Sequence, residues 1–500
     1  MLKRVFFDIT HTSQSGKNSG IEKLVRSLLK EFESPVHKSH VNESSVNESS
    51  VYESSVYESS VCWVDGQKVG EDVTRQVIFS HNGRYYPLDK NALDDLRRIA
   101  TCRQDIVASL PRQYAFAAKS VCRLTQSKVL KKWLLPSTGH LGAFKVLQNY
   151  REYRCLRDIA CRSKPIVATQ NDLFLCPDAY WPRNTFWEAA AQAKEAGAVF
   201  STVLFDLIPI SHPELVGEKQ RLAFERYLIR LAKTSDLVLA ISETVSQQFV
   251  SFLTEKQPEA LGKLTISWFP LGCDLNSSSE PVPTSRIESI PIHRPEIRPA
   301  ILGLFDRSQT NTPYLMVASF EPRKNHRFLL DAFDRIWNNT PALPLCLVGR
   351  IGWLCNDLLD RIASHPLLGK SLFVFHDLSD KELQHCYSNA RGVILPSLVE
   401  GFGLPVIESL RSNRKVFISD TPIHREVGSQ DCIYFGLDSI TDLIEKIAKW
   451  EEAIASGASI DHPNIQSKTV SWKKSFETFF KQSLETFRIK HLDSRRPFRR

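Results

Sequence analysis

A chain of 500 residues is too long for one hydrophobic core, so two domains are expected. A hydrophobic content of 42% against 24% charged residues excludes a disordered chain, and no apolar run approaches the ~18 residues of a membrane span. The net charge of +8 is unevenly placed: residues 97–164 hold fifteen Lys and Arg against three acids (Asp105, Glu152 and Asp158), so one segment carries the whole basic excess.

In chain order, Lys3–Phe7 (KRVFF) reads as a first strand. Its run is too short before Asp8 for a secretory signal. Gly20–Phe32 reads as a helix, with Ile21, Leu24, Val25, Leu28 and Leu29 on one face. Residues 41–60, VNESSVNESSVYESSVYESS, are four pentads whose period fits neither helix nor strand, and they are expected to be a solvated insertion. Within the basic segment, 111–135 places Phe116, Ala117, Val121, Leu124 and Leu135 roughly on one helical face, with Arg112, Lys119, Arg123, Lys131 and Lys132 largely elsewhere. That pattern suits the surface of an anionic bilayer. No aromatic-basic or zinc-binding module appears, so nucleic acid is not an expected partner.

Ile166–Thr169, Val199–Phe205 and Leu237–Ile241 read as short strands of a parallel sheet buried on both faces, and Ser242-Glu243 as a helix start. Residues 276–311 hold five prolines and little periodicity, the mark of a linker. Alternation then restarts, with strands at 313–319, 344–348, 371–375, 392–396 and 415–418, and helices at 325–337, 379–389, 405–411 and 438–451. A last helix from Trp472 to Phe487 could cross back to the first half. The fold class is therefore α/β, with an N-terminal domain over 1–275, a linker, a second domain over 312–470 and a helical, basic tail over 471–500. A ligand is expected between the domains at strand C-termini. Eleven cysteines with no CxxC pair fit reduced thiols in a cytoplasmic protein. The NES sequons at Asn42 and Asn47 then carry no sugar.

The most informative stretch is PSLVEGFGLPVIESL, 396–410. After a strand ending near Pro396, Gly401 and Gly403 let the backbone turn sharply and approach a ligand closely. Pro405 opens a helix, where its missing N–H costs nothing. The amides of Phe402, Gly403 and Leu404 then point outward at a helix N-terminus, a site for phosphate or hydroxyl-rich ligands. Glu400 and Glu408 flank the turn and can accept from vicinal diols. A diphosphate also needs cations, and ASFEPRKNHRFLLDAF supplies Arg323 and Lys324 at a second strand-to-helix junction. Charge-assisted contacts of that kind are worth about 1.5–3 kcal/mol each.

These residues resemble glycosyltransferase family 4, the retaining, metal-independent sugar transferases with two Rossmann-like domains facing each other across a cleft (the GT-B fold). PSLVEGFGLPVIESL matches its Glu-x7-Glu signature. MVASFEPRKNHRFLLDAF, HREVG (424–428) and LVGRIGW (347–353) fit the branch that reads "EPRKN". FDITHTSQSGKNSGIEKLVRSLL resembles the family's "GI-x-R-V" entry loop, and VLFDLIPISHPELV its "HD-x-IP" segment. The resemblance covers about 1–33 and 165–475. It implies a nucleotide-diphosphate sugar as donor, no metal and no further cofactor, and a glycan or lipid-linked glycan as acceptor. Glu408 is expected at the ribose, Arg323 and Lys324 at the leaving diphosphate, and Glu400 with the amides of 401–404 at the sugar hydroxyls. Gly20 is expected on the phosphate from the other domain, Gly349 in the donor site, and Asp206 among the catalytic groups.

The chain also departs from the family's pattern. Phe205 stands where the family has a histidine before Asp206, Ser319 or Phe320 where it has an arginine, and Asn413-Arg414-Lys415 where a glycine is usual. A catalytically degenerate member that binds nucleotide-sugar or glycan without turnover is therefore the alternative. A dinucleotide-dependent oxidoreductase is disfavoured by the lack of GxGxxG after either first strand.

Overall fold

The computed structural model describes residues 2–10, 20–33, 63–64, 67–68, 73–88, 154, 156–180, 184–273, 297–306, 311–428, 430, 432–457 and 470–493. The pentad repeat, the basic helix expected over 111–135, most of the basic segment and most of the proline-rich stretch lie outside the described residues.

The described residues form an α/β fold with two mainly parallel sheets. In the first, β1 (Arg4–Asp8) lies in the interior; a separate short pair, β2 (Trp63–Val64) and β3 (Gln67–Lys68), follows it in the chain. β4 (Thr74–His81), β5 (Arg84–Pro87), β6 (Asp172–Cys176), β7 (Val199–Leu204), β8 (Leu237–Ala240) and β9 (Thr265–Trp268) complete the order β5-β4-β1-β6-β7-β8-β9. The β4–β5 hairpin is antiparallel, and the other neighbours pair in parallel. Helices α1 (Gly20–Glu33), α2 (Asn184–Glu195), α3 (Glu218–Thr234) and α4 (Glu243–Lys256) flank this sheet. Every residue of β6, β7 and β8 is buried, as a parallel sheet covered on both faces requires.

The second sheet is wholly parallel: β10 (Tyr314–Val317), β11 (Leu345–Val348), β12 (Leu372–Phe375), β13 (Gly392–Leu395), β14 (Val416–Ser419) and β15 (Ile433–Phe435), in the order β12-β11-β10-β13-β14-β15. The strand order reverses between β10 and β13, and a doubly wound sheet opens a crevice at that point. Its helices are α5 (Pro299–Leu304), α6 (His326–Trp337), α7 (Asn356–Ala363), α8 (Asp380–Asn389), α9 (Leu404–Arg411), α10 (Pro422–Gly428) and α11 (Ile440–Ala455). The last helix, α12 (Trp472–Asp493), returns to the first sheet. Phe476 meets Phe32 of α1 with ring centroids 6.4 Å apart, and Phe479 meets Phe269 at 5.5 Å. Trp472, Phe476, Phe479, Phe480, Leu484 and Phe487 are all buried there. At roughly 1.5–3 kcal/mol for each such side chain, this seam fastens the end of the chain to the first domain.

Two expectations are corrected. Ile166–Thr169 is not a strand, and Val167 is 77% exposed. The buried strand starts six residues later, because the Asp172 carboxylate accepts from the Thr169 amide at 2.7 Å and closes a turn ahead of DLFLC. Nor is the proline-rich stretch irregular throughout. Pro299 opens α5, where its fixed φ suits a first turn, and Ile301 and Phe305 bury into the second core.

Candidate active site

The GFG turn sits where β13 hands over to α9, beside the switch point. Gly403 adopts φ 95°, a left-handed conformation, and stands at the start of α9. Among the described residues, no acceptor meets the amides of Phe402, Gly403 and Leu404. That leaves a helix N-terminus with outward donors.

Across the switch point, a single turn of 3-10 helix after β10 brings Arg323 and Lys324 to Glu400. Arg323 Nη1 donates to Glu400 Oε2 at 2.8 Å, and Ser397 Oγ donates to Glu400 Oε1 at 2.8 Å. Lys324 Nζ also donates to Glu400 Oε1. Arg323 Nε turns to Glu321 Oε2 at 3.0 Å. Burial pushes the Glu400 carboxyl up, but the Lys324 and Arg323 charges and the Lys324 hydrogen bond outweigh it and hold it well below the usual carboxylate range. For Lys324, burial and the neighbouring Arg323 charge bring the ammonium down despite Glu400. For Arg323 burial works the same way, yet Glu400, Glu321 and Asp206 together hold the guanidinium firmly charged. The cluster thus brings two cations up against two glutamates.

Asp206 comes from the first domain, at the end of β7. Its Oδ1 accepts from the Ile208 amide at 3.1 Å, so it shapes the turn as well as facing the cleft. Burial raises its carboxyl above the ordinary range, against the pull of Arg323. Next to it, a Cβ added to Gly401 would lie 2.3 Å from the Phe205 carbonyl oxygen and 3.3 Å from Asp206 Cβ. Gly401 thus lies hard against the first domain, with no room for a side chain. Ser242 Oγ, which also accepts from the Val245 amide as the cap of α4, donates to the Gly401 carbonyl at 2.9 Å. A further contact closes the same seam: the Glu426 carboxylate accepts from the amides of Glu243 and Thr244 at 2.7 and 2.9 Å, seated on the N-terminus of α4.

Glu408 lies one turn into α9, buried. Its Oε2 accepts from Tyr387 Oη at 3.0 Å, and its Oε1 accepts from Lys23 Nζ, which reaches over from α1 in the first domain. Gly20, at the first residue of α1, stands one turn before Lys23. Gly349 has a packing reason of its own: a Cβ there would fall 1.8 Å from the Ala318 carbonyl oxygen, where β10 and β11 end side by side.

The expected residues Glu400, Arg323, Lys324, Asp206, Gly401, Phe402, Gly403 and Leu404 therefore meet at one crevice. Glu408 stands at its other end, paired with Lys23. Two groups were not singled out from the sequence. His424 is fully buried, and its Nδ1 lies 2.9 Å from the Ser419 carbonyl, which it serves as donor. Its Nε2 lies on the side of Gly403. Burial lowers its pKa, against the Glu400 charge. The available signal was its place just past a strand end. Lys23 carried none, since its partner is 385 positions away.

Residues 306–454 match the family model described as Glycosyl transferases group 1. That span takes in the whole second sheet and its crevice. The chain is 29% identical over 326 residues to a serotype-specific mannosyltransferase, WbdA, of Escherichia coli, a match over 64% of this chain and 38% of that one. It is 30% identical over 167 residues to the O-antigen chain mannosyltransferase RfbU of Salmonella typhimurium, over 32% of this chain and 46% of that one. The chain thus spans less than two-fifths of the length of the WbdA proteins it matches. Among solved structures, Anabaena HepE in complex with UDP and glucose aligns over 98% of both chains, at 13% identity and a TM-score of 0.46.

Proposed function

We propose that the protein is a retaining glycosyltransferase of the family 4 type, moving a mannosyl or related hexosyl unit from a nucleotide-diphosphate sugar to a glycan or lipid-linked glycan in polysaccharide synthesis. The observation that carries this reading is the convergence of Arg323, Lys324 and Glu400 with the unengaged amides of the GFG turn at the switch point of the second sheet. An anion placed there meets two cations and a helix N-terminus at once. The similarity to a serotype-specific mannosyltransferase and to an O-antigen chain mannosyltransferase supports the sugar and the polymer class.

In this reading the diphosphate lies against Arg323, Lys324 and the amides of Phe402–Leu404. These groups stabilise the negative charge that grows on it as the C1–O bond breaks. Glu408 holds the ribose, and Glu400 holds sugar hydroxyls. The acceptor hydroxyl attacks C1 from the face the diphosphate leaves, and its proton passes to a departing phosphate oxygen, so the anomeric configuration is kept. Closure of the first domain over the site excludes water, which would otherwise hydrolyse the donor. No metal or cofactor takes part. The chain works in the cytoplasm, and the basic segment outside the described residues holds it at the inner, anionic membrane face.

The deciding experiment is a thermal-shift panel with GDP-, UDP-, dTDP- and ADP-sugars, followed by a transfer assay with the sugar that binds. A ligand at a hundred times its Kd adds about 2.7 kcal/mol of stability. Unchanged turnover in Lys324→Ala and Glu408→Ala would refute the site assignment. Donor binding without hydrolysis or transfer would favour the degenerate reading instead.

A further inference from the structure

A cavity of about 170 Å³ opens between the domains on the first-domain side of the Arg323–Glu400 cluster. Asp206, Arg323 and Glu321 lie at one end of it; Phe224 and Tyr227 of α3 and Trp353 of the second domain supply its apolar walls. At ~30 Å³ per water this is room for about five or six waters, the bulk of one sugar ring rather than an extended glycan. The walls are built rather than incidental. The loop carrying Trp353 is tied to the strand end beside Glu321: Phe320 N–H donates to the Arg350 carbonyl at 2.9 Å, and Gly352 N–H donates to the Phe320 carbonyl at 3.2 Å. A Cβ at Gly352 would come within 2.6 Å of Glu321 Cγ, so the glycine lets this loop lie flat against the site. On the other wall Phe224 and Tyr227 are buried, and Trp187 packs edge-on against Tyr227 at 5.9 Å.

We propose that this cavity is a subsite for one pyranose ring of the acceptor, with Trp353 as the residue that seats it. This rests on the transferase reading above. A pyranose has an apolar C–H face and a polar rim, and a pocket that is mostly aromatic with a few convergent polar groups matches both. The polar end decides which ring it is. Asp206 and Arg323 line this cavity and also belong to the Glu400 crevice, so a hydroxyl held at that end lies next to the proposed diphosphate site. The donor's own nucleotide lies on the far side of Glu400, along α9 toward Glu408.

The probe is methyl α-D-mannopyranoside, followed by saturation-transfer-difference NMR on the full chain in the presence of a nucleoside diphosphate. The subsite predicts a signal in the parent protein that falls about tenfold in Trp353→Ala and in the cavity-filling Val216→Phe. The thermal shift given by the nucleoside diphosphate alone stays at its parent value in both variants. A parent protein that gives no sugar signal, or a filled variant that keeps it, overturns the subsite. So does loss of the nucleotide shift together with the sugar signal. Failure of the transferase reading shows elsewhere, as absence of any nucleotide shift in the parent protein.

Discussion

Lys23 of the first domain donates to Glu408 of the second, so the carboxylate proposed for the ribose is held by an ammonium from across the cleft. Tyr387 takes its other oxygen, and both acceptor atoms are therefore engaged. A ribose diol at Glu408 competes with Lys23 for Oε1. The Lys23 side chain is 47% exposed, and pairs of that kind are worth about 0.2–1 kcal/mol. Lys23→Met is accordingly expected to tighten nucleoside diphosphate binding by roughly two- to fivefold in calorimetry. A weaker Kd in the variant would show that Lys23 serves as a nucleotide ligand rather than a competitor.

Gly401 makes the most demanding steric claim. With the Phe205 carbonyl 2.3 Å from a would-be Cβ, and Asp206 Cβ and Ile241 Cδ1 at 3.3 and 3.4 Å, Gly401→Ala blocks the closed approach of the domains. Transfer should fall by at least about a hundredfold, the scale of a ~1 Å misplacement of reacting groups. Nucleotide binding to the second domain should stay within a factor of about three. Parent-like transfer in a folded Gly401→Ala protein would show that the seam at Phe205 is not part of the working conformation.

The Arg323–Lys324–Glu400 cluster is buried, and breaking such a group costs more than forming it gains. Glu400→Ala leaves two cations with one fewer counter-charge and is expected to destabilise the fold by about 3–5 kcal/mol. Bound nucleoside diphosphate should recover part of the lost melting temperature in that variant, since it brings negative charge back to the same cations. Melting temperatures with and without ligand decide this, and equal shifts in parent and variant would count against a diphosphate at this place.

Asp8 gives a pH signature. It ends β1 fully buried, with Oδ1 accepting from the Thr10 amide at 2.8 Å and Oδ2 without a hydrogen-bond partner. Burial pushes its carboxyl up to about 8 against an ordinary 3.8, despite the Thr10 bonds. Between those values the folded chain keeps a proton that the unfolded chain has lost. Stability from this group is therefore full below about pH 4 and falls as pH rises toward about 8. Asp8→Asn should flatten that slope, so that its melting temperature gains on the parent's from pH 5 to pH 9. Parallel melting curves across this range would mean that Asp8 is ionised in the folded protein.

Much of the second domain was legible because its signals are local. Strands placed at 313–319, 344–348, 371–375, 392–396 and 415–418 appear with ends shifted by one or two residues, and GFGLP does start a helix. Short apolar runs between polar helices say "buried parallel strand" within a handful of residues. The misses have physical causes too. β15 is three residues, too short for any period, and DLFLC was passed over for the apolar Ile166–Thr169 because a buried aspartate opens it.

The sequence by itself determined which groups stand at the two strand-to-helix junctions: Gly401 and Gly403 with Pro405, Glu400, and the Arg323-Lys324 pair, each set by a turn a few residues long. The tertiary structure alone decided how they are shared. It put Glu400 between Arg323 and Lys324, Phe205 against Gly401, Glu426 on the N-terminus of α4, and Lys23 on Glu408. Pairings across that many residues depend on how two sheets dock, and the docking is an outcome of packing summed over whole faces. No local pattern encodes it.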